Sequence, residues 1–209
     1  MSITVQWLGH ASFKIVSEGT VVYIDPWKLE DAPHDGSVIL VSHSHYDHYS
    51  AGDVARAAGG DSELIGSADV VAQHGSGRAV GPGETLEFEG GKVTAVAAYN
   101  PKKQYHPRAN KWVGFIIEMG GKRIYYAGDT DMTGEMQGLS HIDLALLPVG
   151  GTYTMNAKEA AQAVNKFKPA QAVPYHWGDI VGDEKDAEKF KNNAACQVTI
   201  LTPGQSLTL

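Results

Sequence analysis

The chain has 209 residues, 43% hydrophobic and 20% charged, with 17 basic against 24 acidic side chains and a net charge of −7. These proportions are those of an ordinary globular protein, and we expect one domain spanning residues 1–209. The acidic balance argues against nucleic acid as the main partner, because binding a phosphate backbone requires a basic face.

The hydrophobic pattern predicts strands and helices in both halves of the chain. The first half is predicted to contain strands at 3–7, 13–15, 21–24 and 38–41, a helix at 51–58, a strand at 64–65 and a helix at 67–73. The second half is predicted to contain strands at 85–88, 92–98, 113–119, 123–127 and 144–147, a helix capped at 156, a strand at 173–175, a helix at 183–190, and strands at 198–201 and 206–209.

Three histidines and an aspartate are crowded into six positions directly after the apolar run at 38–41. Residues just beyond a buried strand project into one small volume from a rigid mount. Imidazole nitrogens and carboxylate oxygens are ligands that borderline-soft divalent metals take. We therefore predict that His43, His45, Asp47 and His48 bind metal.

Three further side chains with metal-binding chemistry lie near the ends of later strands. Asp129 and His176 each follow a predicted strand, and His106 lies in a loop after another. A carboxylate has two oxygens and can bridge two cations, and paired divalent ions lower the pKa of water held between them. The alternatives to metal binding are that Asp129 is a turn aspartate and that His176 packs against Trp177.

The same residues and three further motifs carry a resemblance that covers essentially the whole chain. The motifs are Trp7-Leu8-Gly9-His10-Ala11-Ser12-Phe13, Asp25-Pro26 and Gly128-Asp129-Thr130. The chain resembles metallo-β-lactamase-fold proteins, and more narrowly the short stand-alone metal-dependent hydrolases that include the L-ascorbate-6-phosphate lactonase-like group. The resemblance implies an α/β fold, a four-layer αββα sandwich, with the metal site at one edge between the two β-sheets.

The resemblance also implies a role for each matched position. The implied ligands are His43, His45 and a third histidine for the first metal, Asp47, His48 and His176 for the second, and Asp129 as the bridge. Asp47 would also orient the attacking water, and Asp25 would hold the metal loop from beneath.

The third histidine of the first metal is where this sequence departs from the family. Asn100 occupies the expected position after a strand, and the nearest histidine is His106. Either the loop folds back and His106 fills the position, or Asn100 makes a weaker oxygen contact, or the first metal has fewer protein ligands. We predict His106.

The remaining histidines divide into one candidate and three without supporting context. His10 lies in a Gly-His-Ala-Ser turn and could reach the metal edge as a catalytic proton donor or substrate ligand. The alternative is a buried histidine bonded to loop backbone. We expect His34, His74 and His141 to be structural or solvated.

The loop at 99–111 carries four cations, namely Lys102, Lys103, Arg108 and Lys111. Next to a metal edge such cations could hold a phosphate or carboxylate. A solvated loop explains them equally well. Tyr153 and Trp177 are expected near the same rim, where they could wall a small pocket.

These observations predict a metal-dependent hydrolase in which a metal-held hydroxide cleaves an ester, lactone or phosphodiester bond. Its substrate would be a small molecule, anionic if the loop cations bind it. We expect two divalent ions, with zinc as the first choice and manganese, iron or nickel as alternatives. A redox enzyme and a metal-containing binding protein without turnover are the other hypotheses on this scaffold.

Location and assembly are predicted only coarsely. The first residues carry neither the basic segment nor the apolar run of a secretion signal, and the single cysteine, Cys196, fits a reducing compartment. No apolar stretch approaches the ~20 residues of a membrane helix. We therefore expect a cytoplasmic protein without membrane or nucleic-acid partners, and a homo-oligomer is compatible with a small enzyme.

Overall fold

The computed structural model describes residues 2–209. The strands are β1 (Thr4–Gly9), β2 (Ser12–Ser17), β3 (Thr20–Ile24), β4 (Gly36–Val41), β5 (Ala58–Gly66), β6 (Arg78–Ala79), β7 (Thr85–Phe88), β8 (Gly91–Ala97), β9 (Val113–Met119), β10 (Lys122–Tyr126), β11 (Leu144–Pro148), β12 (Gln171–Tyr175), β13 (Gln197–Val198) and β14 (Ser206–Thr208). The helices are α1 (Ala51–Ala57), α2 (Ala68–His74), α3 (Gly134–Gln137), α4 (Ala157–Phe167) and α5 (Glu184–Asn193), with a 3₁₀ turn at Arg108–Asn110. None of the described helices has the length and apolarity needed to cross a bilayer.

The strands form two seven-stranded mixed sheets of the same plan. Sheet A has the order β14-β1-β2-β3-β4-β5-β6, and sheet B has the order β13-β12-β11-β10-β9-β8-β7. In sheet A the pairs up to β2–β3 are antiparallel and those from β3 to β6 are parallel. Sheet B repeats this change of direction at β10. Each sheet therefore has a set of parallel strands whose carboxyl ends lie along one of its edges.

Strand β4 illustrates how the layers arise. Val38 and Leu40 belong to the main core, which includes residues of both sheets. Ile39 and Val41 belong to a second core with Val54 of α1. Because successive side chains of a strand point to opposite faces, β4 is apolar on both sides. This confirms the predicted αββα sandwich, with α1 and α2 outside sheet A.

Helix α4 belongs to the helical layer of sheet B. Asn156 caps it and forms the predicted capping box with Glu159. Val164 and Phe167 lie on its buried face, and the ring of Phe167 packs edge-on against Tyr125 of β10 at 5.9 Å. The spacing of apolar residues in the sequence thus places this helix on the sheet.

Two predicted elements differ from the structure. The strand predicted at 64–65 is the nine-residue β5, which begins directly after α1. Gly59 permits this, because a Cβ there would lie 3.0 Å from the carbonyl oxygen of Gly36 on the neighbouring strand. The strand predicted at 198–201 shrinks to β13, because only residues 197 and 198 pair with β12.

The parallel strands of both sheets end at the same edge of the sandwich. In sheet A, β3 leads into Asp25 and β4 leads into the loop at 42–48. In sheet B, β10 leads towards Asp129 and β12 leads into His176. The loops that carry the candidate metal ligands therefore meet where the two sheets face each other, as expected at the carboxyl ends of parallel strands.

Candidate metal centre

Three histidines from two loops form the first half of the centre. The ligand atoms of His43, His45 and His106 all lie within 4.8 Å of one another. His43 Nε2 is 3.1 Å from His45 Nδ1, and the ring of His106 is centred 5.3 Å from that of His43. We call these residues the three-histidine group.

Asn100 explains how His106 reaches this position. Its Oδ1 accepts hydrogen bonds from the backbone N of His106 at 3.0 Å and from its Nδ1 at 2.8 Å. The backbone N of Asn100 in turn donates to the carbonyl of His106 at 2.8 Å. The loop thus folds back, and Asn100 orients the imidazole while His106 Nε2 remains available.

An aspartate and three histidines form the other half. The ligand atoms of His10, Asp47, His48 and His176 lie within 4.8 Å of one another. Asp47 Oδ2 is 3.8 Å from the Nε2 atoms of both His48 and His176. We call Asp47, His48 and His176 the aspartate–histidine group, and His10 is its neighbour.

Asp129 lies between the two groups. Its Oδ2 is 3.3 Å from His106 Nε2 and 3.3 Å from His176 Nε2. Its Oδ1 is 3.2 Å from His48 Nε2. One buried carboxylate therefore faces nitrogens of both groups.

These close contacts are not satisfied hydrogen bonds. His48 Nε2, His106 Nε2, His176 Nε2 and Asp129 Oδ1 are buried and have no hydrogen-bond partner within residues 2–209. Buried polar atoms without partners are rare and costly in folded proteins. Divalent cations bound in the two groups would supply these missing partners, so the donor set fits divalent metal.

The carboxylates of the centre are held in the charged form. Burial opposes ionisation of Asp129, but His176 and His48 outweigh it and hold the pKa of the carboxyl well below its ordinary value. Burial also opposes ionisation of Asp47, but the hydrogen bond with His10 and the charge of His48 lower its pKa to about 2. Both residues are therefore anionic at neutral pH.

The imidazoles differ from one another. Burial and the nearby His48 hold the pKa of His43 well below its ordinary value. Burial acts in the same direction on His48, but Asp129 and Asp25 outweigh it and hold the pKa of His48 well above its ordinary value. Burial therefore favours the neutral form of His43, whereas the carboxylates of Asp129 and Asp25 favour the protonated form of His48.

Asp25 supports the centre from beneath. It is fully buried, and its Oδ1 accepts from the backbone N of Ser42 at 2.7 Å. Its Oδ2 accepts from Ser42 Oγ at 2.5 Å, His48 Nδ1 at 2.7 Å and Tyr126 OH at 2.6 Å. Asp25 also lies close to His43 and His48 as a candidate ligand set, but these four donors occupy its oxygens. It therefore orients the loop at 42–48 and the candidate ligand His48.

The backbone around the centre adopts sparsely populated conformations. His10, Asp25 and His176 have φ values of 47°, 43° and 61°, in the left-handed region that non-glycine residues rarely occupy. Gly128 has φ 66°, and a Cβ there would lie 2.8 Å from the carbonyl oxygen of Val113. Glycine thus lets the chain turn sharply just before Asp129.

The sequence predicts either that His10 reaches the metal edge or that it is a buried histidine bonded to loop backbone, and the structure combines features of both. Its side chain is buried, and its Nε2 lies 3.0 Å from Asp47 Oδ2, so it bonds the centre rather than loop backbone. Its carbonyl accepts from Trp7 Nε1 and from the backbone N of His176, each at 3.0 Å. His10 therefore links sheet A to the strand end that carries His176.

Sequence reasoning missed Trp112. Its ring is centred 4.8 Å from His43, 4.7 Å from His45 and 5.6 Å from His106. Its Nε1 donates to Asp69 Oδ2 at 2.7 Å. The sequence signal that could have found it is its place directly before a buried strand. An antiparallel strand can begin at the metal edge, and the residue before such a strand then lies beside the site.

Comparison with known proteins agrees with this geometry. Residues 4–176 match the family model described as the β-lactamase superfamily domain. This chain belongs to the metallo-β-lactamase-fold superfamily. A UPF0173 metal-dependent hydrolase of Nitratidesulfovibrio vulgaris is 33% identical across 100% of this chain and 96% of its own length.

Two further relatives extend the comparison within the superfamily. A UPF0173 metal-dependent hydrolase of Pyrococcus abyssi is 35% identical across 99% of this chain and 100% of its own length. The crystal structure of a candidate metal-dependent hydrolase from Parabacteroides distasonis superposes with a TM-score of 0.84 at 29% identity, covering 95% of this chain and 92% of the other. This metallo-β-lactamase-fold protein is accordingly a metal-dependent hydrolase.

Other residues lie away from the centre. His34 and His141 are exposed, and His74 Nδ1 bonds Tyr49 OH at 3.1 Å. Trp177 does not share a pocket with Tyr153, because it packs against Trp7 at 5.0 Å on the side of His10.

Proposed function

We propose that this hydrolase holds two divalent metal ions and cleaves an ester, lactone or phosphodiester bond in a small molecule. The observation that carries the proposal is the position of Asp129, whose two oxygens face histidine nitrogens of both groups at 3.2 to 3.3 Å. Two ions close together repel each other, and an anionic carboxylate with two free oxygens can bridge them.

The donor set supports zinc as the first choice of metal. The three-histidine group would hold one ion and the aspartate–histidine group the other, with imidazole and carboxylate donors that zinc takes. When bound, such ions supply a water that ionises near neutral pH and a Lewis acid for the substrate oxygen. Manganese, iron and nickel accept similar ligands, so the supply of each metal in the cell would decide which one is bound.

Asp47 is proposed to orient the attacking water. Its low pKa keeps it able to accept a hydrogen bond at neutral pH, and it lines the cavity in front of the centre. His10 Nε2 donates to Asp47 Oδ2 at 3.0 Å and so fixes the plane of this carboxylate. A carboxylate held in one orientation aligns water for attack better than a rotating one.

Replacing Asp47 by Ala tests the catalytic role. Hydrolysis should collapse while metal content largely survives, because His48, His176 and Asp129 still offer donors to the second ion. The measurements are kcat/KM on a panel of an ester, a lactone and a phosphodiester, together with elemental analysis of metal per chain. Asp61→Ala, an exposed aspartate on β5, is the matched control and should match the wild type. A metal-loaded wild type that cleaves no member of the panel contradicts the proposal.

Metal stoichiometry tests the two-ion assignment separately. Protein stripped with chelator and reloaded should reach about two equivalents per chain, with activity following the second equivalent. Full activity at one equivalent would contradict the shared role of Asp129.

A further inference from the structure

A small cavity opens directly in front of the metal centre. Its volume is about 230 Å³, just below the usual range for pockets that bind drug-sized ligands. Half of its lining residues are candidate metal ligands, namely His45, Asp47, His106 and Asp129. The other four are Tyr46, Tyr105, Tyr153 and Ile180. A substrate that reaches the metals therefore contacts aromatic and aliphatic side chains on its remaining surface.

Two of the three tyrosines that line this cavity, Tyr46 and Tyr105, are unusually exposed. Tyr46 is 68% exposed and Tyr105 is 38% exposed, and they are the exposed large hydrophobic side chains within residues 2–209. Both line this one cavity. Tyr105 packs edge-to-face against Tyr153 with ring centroids 4.8 Å apart, and Tyr46 packs against Trp27 at 6.0 Å. Exposed aromatic side chains gathered at a single cavity mark a binding surface.

The cations of the loop at 99–111 do not serve this cavity. Lys103 Nζ bonds Asp131 Oδ1 at 2.7 Å, the carbonyl of Thr154 at 2.6 Å and that of Gly151 at 3.2 Å. An ammonium group has three donors, so Lys103 has none left for a substrate. Its bonds instead tie this loop to the one that carries Tyr153.

The remaining loop cations point to the same conclusion. Arg108 pairs with Glu135 at 2.8 Å and lies over the ring of Tyr99 at 5.0 Å. Arg108 and Lys111 line a separate cavity of about 810 Å³. Lys102 is exposed and is absent from the lining of the metal cavity. No lysine or arginine among the described residues lines the small cavity in front of the metal centre.

From this distribution we propose that the substrate is an uncharged ester or lactone that carries an aromatic ring or a similarly flat apolar group. This substrate class rests on the proposed hydrolase function. The reacting carbonyl would meet the metal centre, and the ring would lie among Tyr46, Tyr105 and Tyr153. An anionic group on the part of the substrate that lies among the tyrosines would lose water without gaining a lysine or arginine partner, which is unfavourable.

A pair of esters that differ by one charge tests the first half of this proposal. 4-(Methylsulfonyl)phenyl acetate and 4-sulfophenyl acetate have nearly the same shape, and only the second is anionic. The neutral ester should have a kcat/KM at least about tenfold higher, the scale on which pocket contacts discriminate between similar substrates. Equal values, or a preference for the sulfonate, would overturn the proposal.

A pair of lactones tests the second half. Dihydrocoumarin carries an aromatic ring, and δ-valerolactone is the same six-membered lactone without it. Tyr105→Ala should raise KM several-fold for dihydrocoumarin and leave that for δ-valerolactone unchanged, whereas Tyr105→Phe, which keeps the ring, should behave as the wild type. Lys102→Ala, on the same loop, is the matched control and should change neither KM. Unchanged KM values in Tyr105→Ala, or a loss of affinity in Lys102→Ala, would overturn the proposal.

A binding measurement separates this proposal from the proposed function. Calorimetric titration of metal-loaded protein with 4-(methylsulfonyl)phenol and 4-hydroxybenzenesulfonate needs no turnover. The neutral phenol should bind more tightly, and Tyr105→Ala should weaken it. Binding of neither compound, or tighter binding of the sulfonate, overturns the substrate class. Failure to hydrolyse any ester or lactone, with binding of the neutral phenol intact, contradicts the proposed ester or lactone hydrolysis alone.

Discussion

The two ligand groups of the centre are built in different ways. The three-histidine group is flanked by the indole of Trp112, and burial keeps the pKa of His43 well below its ordinary value. The aspartate–histidine group is surrounded by carboxylates, which hold the pKa of His48 well above its ordinary value. His43 is thus neutral at pH 7, whereas His48 would have to release a proton before binding a cation. Residues five positions apart in one loop differ because their neighbours differ.

Removing the carboxylate that both groups share should have the largest effect. In Asp129→Asn we expect metal content to fall in both groups and kcat/KM to fall by more than about a hundredfold, beyond the upper range for outer partners of metal ligands. Elemental analysis and steady-state kinetics measure these two quantities. A variant with one metal lost and the other intact would show that Asp129 belongs to one group only.

Loosening one ligand should affect one group and spare the other. Asn100→Ala removes the acceptor that holds His106 Nδ1 at 2.8 Å, and we expect the affinity for one ion to fall by about 10- to 100-fold. Competition with a chromogenic chelator resolves the two binding steps. The matched comparison is His10→Ala, which contacts Asp47 and should leave the three-histidine step unchanged. Equal weakening of both steps in Asn100→Ala would mean that the groups do not bind independently.

Trp112 allows packing to be separated from hydrogen bonding in the first group. Trp112→Phe keeps an aromatic ring beside the three histidines and removes the bond to Asp69, so unfolding free energy should fall by about 1 kcal/mol. Metal content should stay at the wild-type value, whereas Trp112→Ala should lower it. Urea unfolding and elemental analysis measure these effects. Normal metal binding in Trp112→Ala would show that the indole does not support the group.

An ion pair outside both groups should contribute least. Burial opposes ionisation of Asp35, but hydrogen bonds from Lys14 and Tyr23 lower its pKa below the ordinary 3.8. Between the two pKa values the unfolded chain binds more protons than the folded one. The contribution of Asp35 to the free energy of unfolding is therefore complete above pH 3.8 and is lost as pH falls through the lower pKa of the folded protein. Since Asp35 is partly exposed, Asp35→Asn should cost less than about 1 kcal/mol at pH 7.

Urea unfolding at pH 7 and at pH values below the folded pKa of Asp35 checks this, because the difference between Asp35→Asn and wild type should disappear once Asp35 is protonated in both the folded and the unfolded protein. A difference that persists in acid would assign the effect to packing and not to charge.

Local sequence patterns determined the strands and the candidate metal ligands that follow them. The apolar run at 38–41 predicts a buried strand, and the density of ligand side chains at 43–48 predicts that its end binds metal. Asp129 and His176 could be predicted in the same way, because each follows a strand. Such positions depend on strand direction and period, which neighbouring residues encode.

Only the tertiary structure decided the third histidine, the surroundings of the ligands and the fate of the loop cations. His106 reaches the centre because Asn100 holds a folded-back loop, and Lys103 bonds residues 28 to 51 positions away. Trp112 meets the histidines only once the two sheets have packed together. These contacts join segments that are distant in sequence, and their formation depends on how the sandwich closes, which no local pattern encodes.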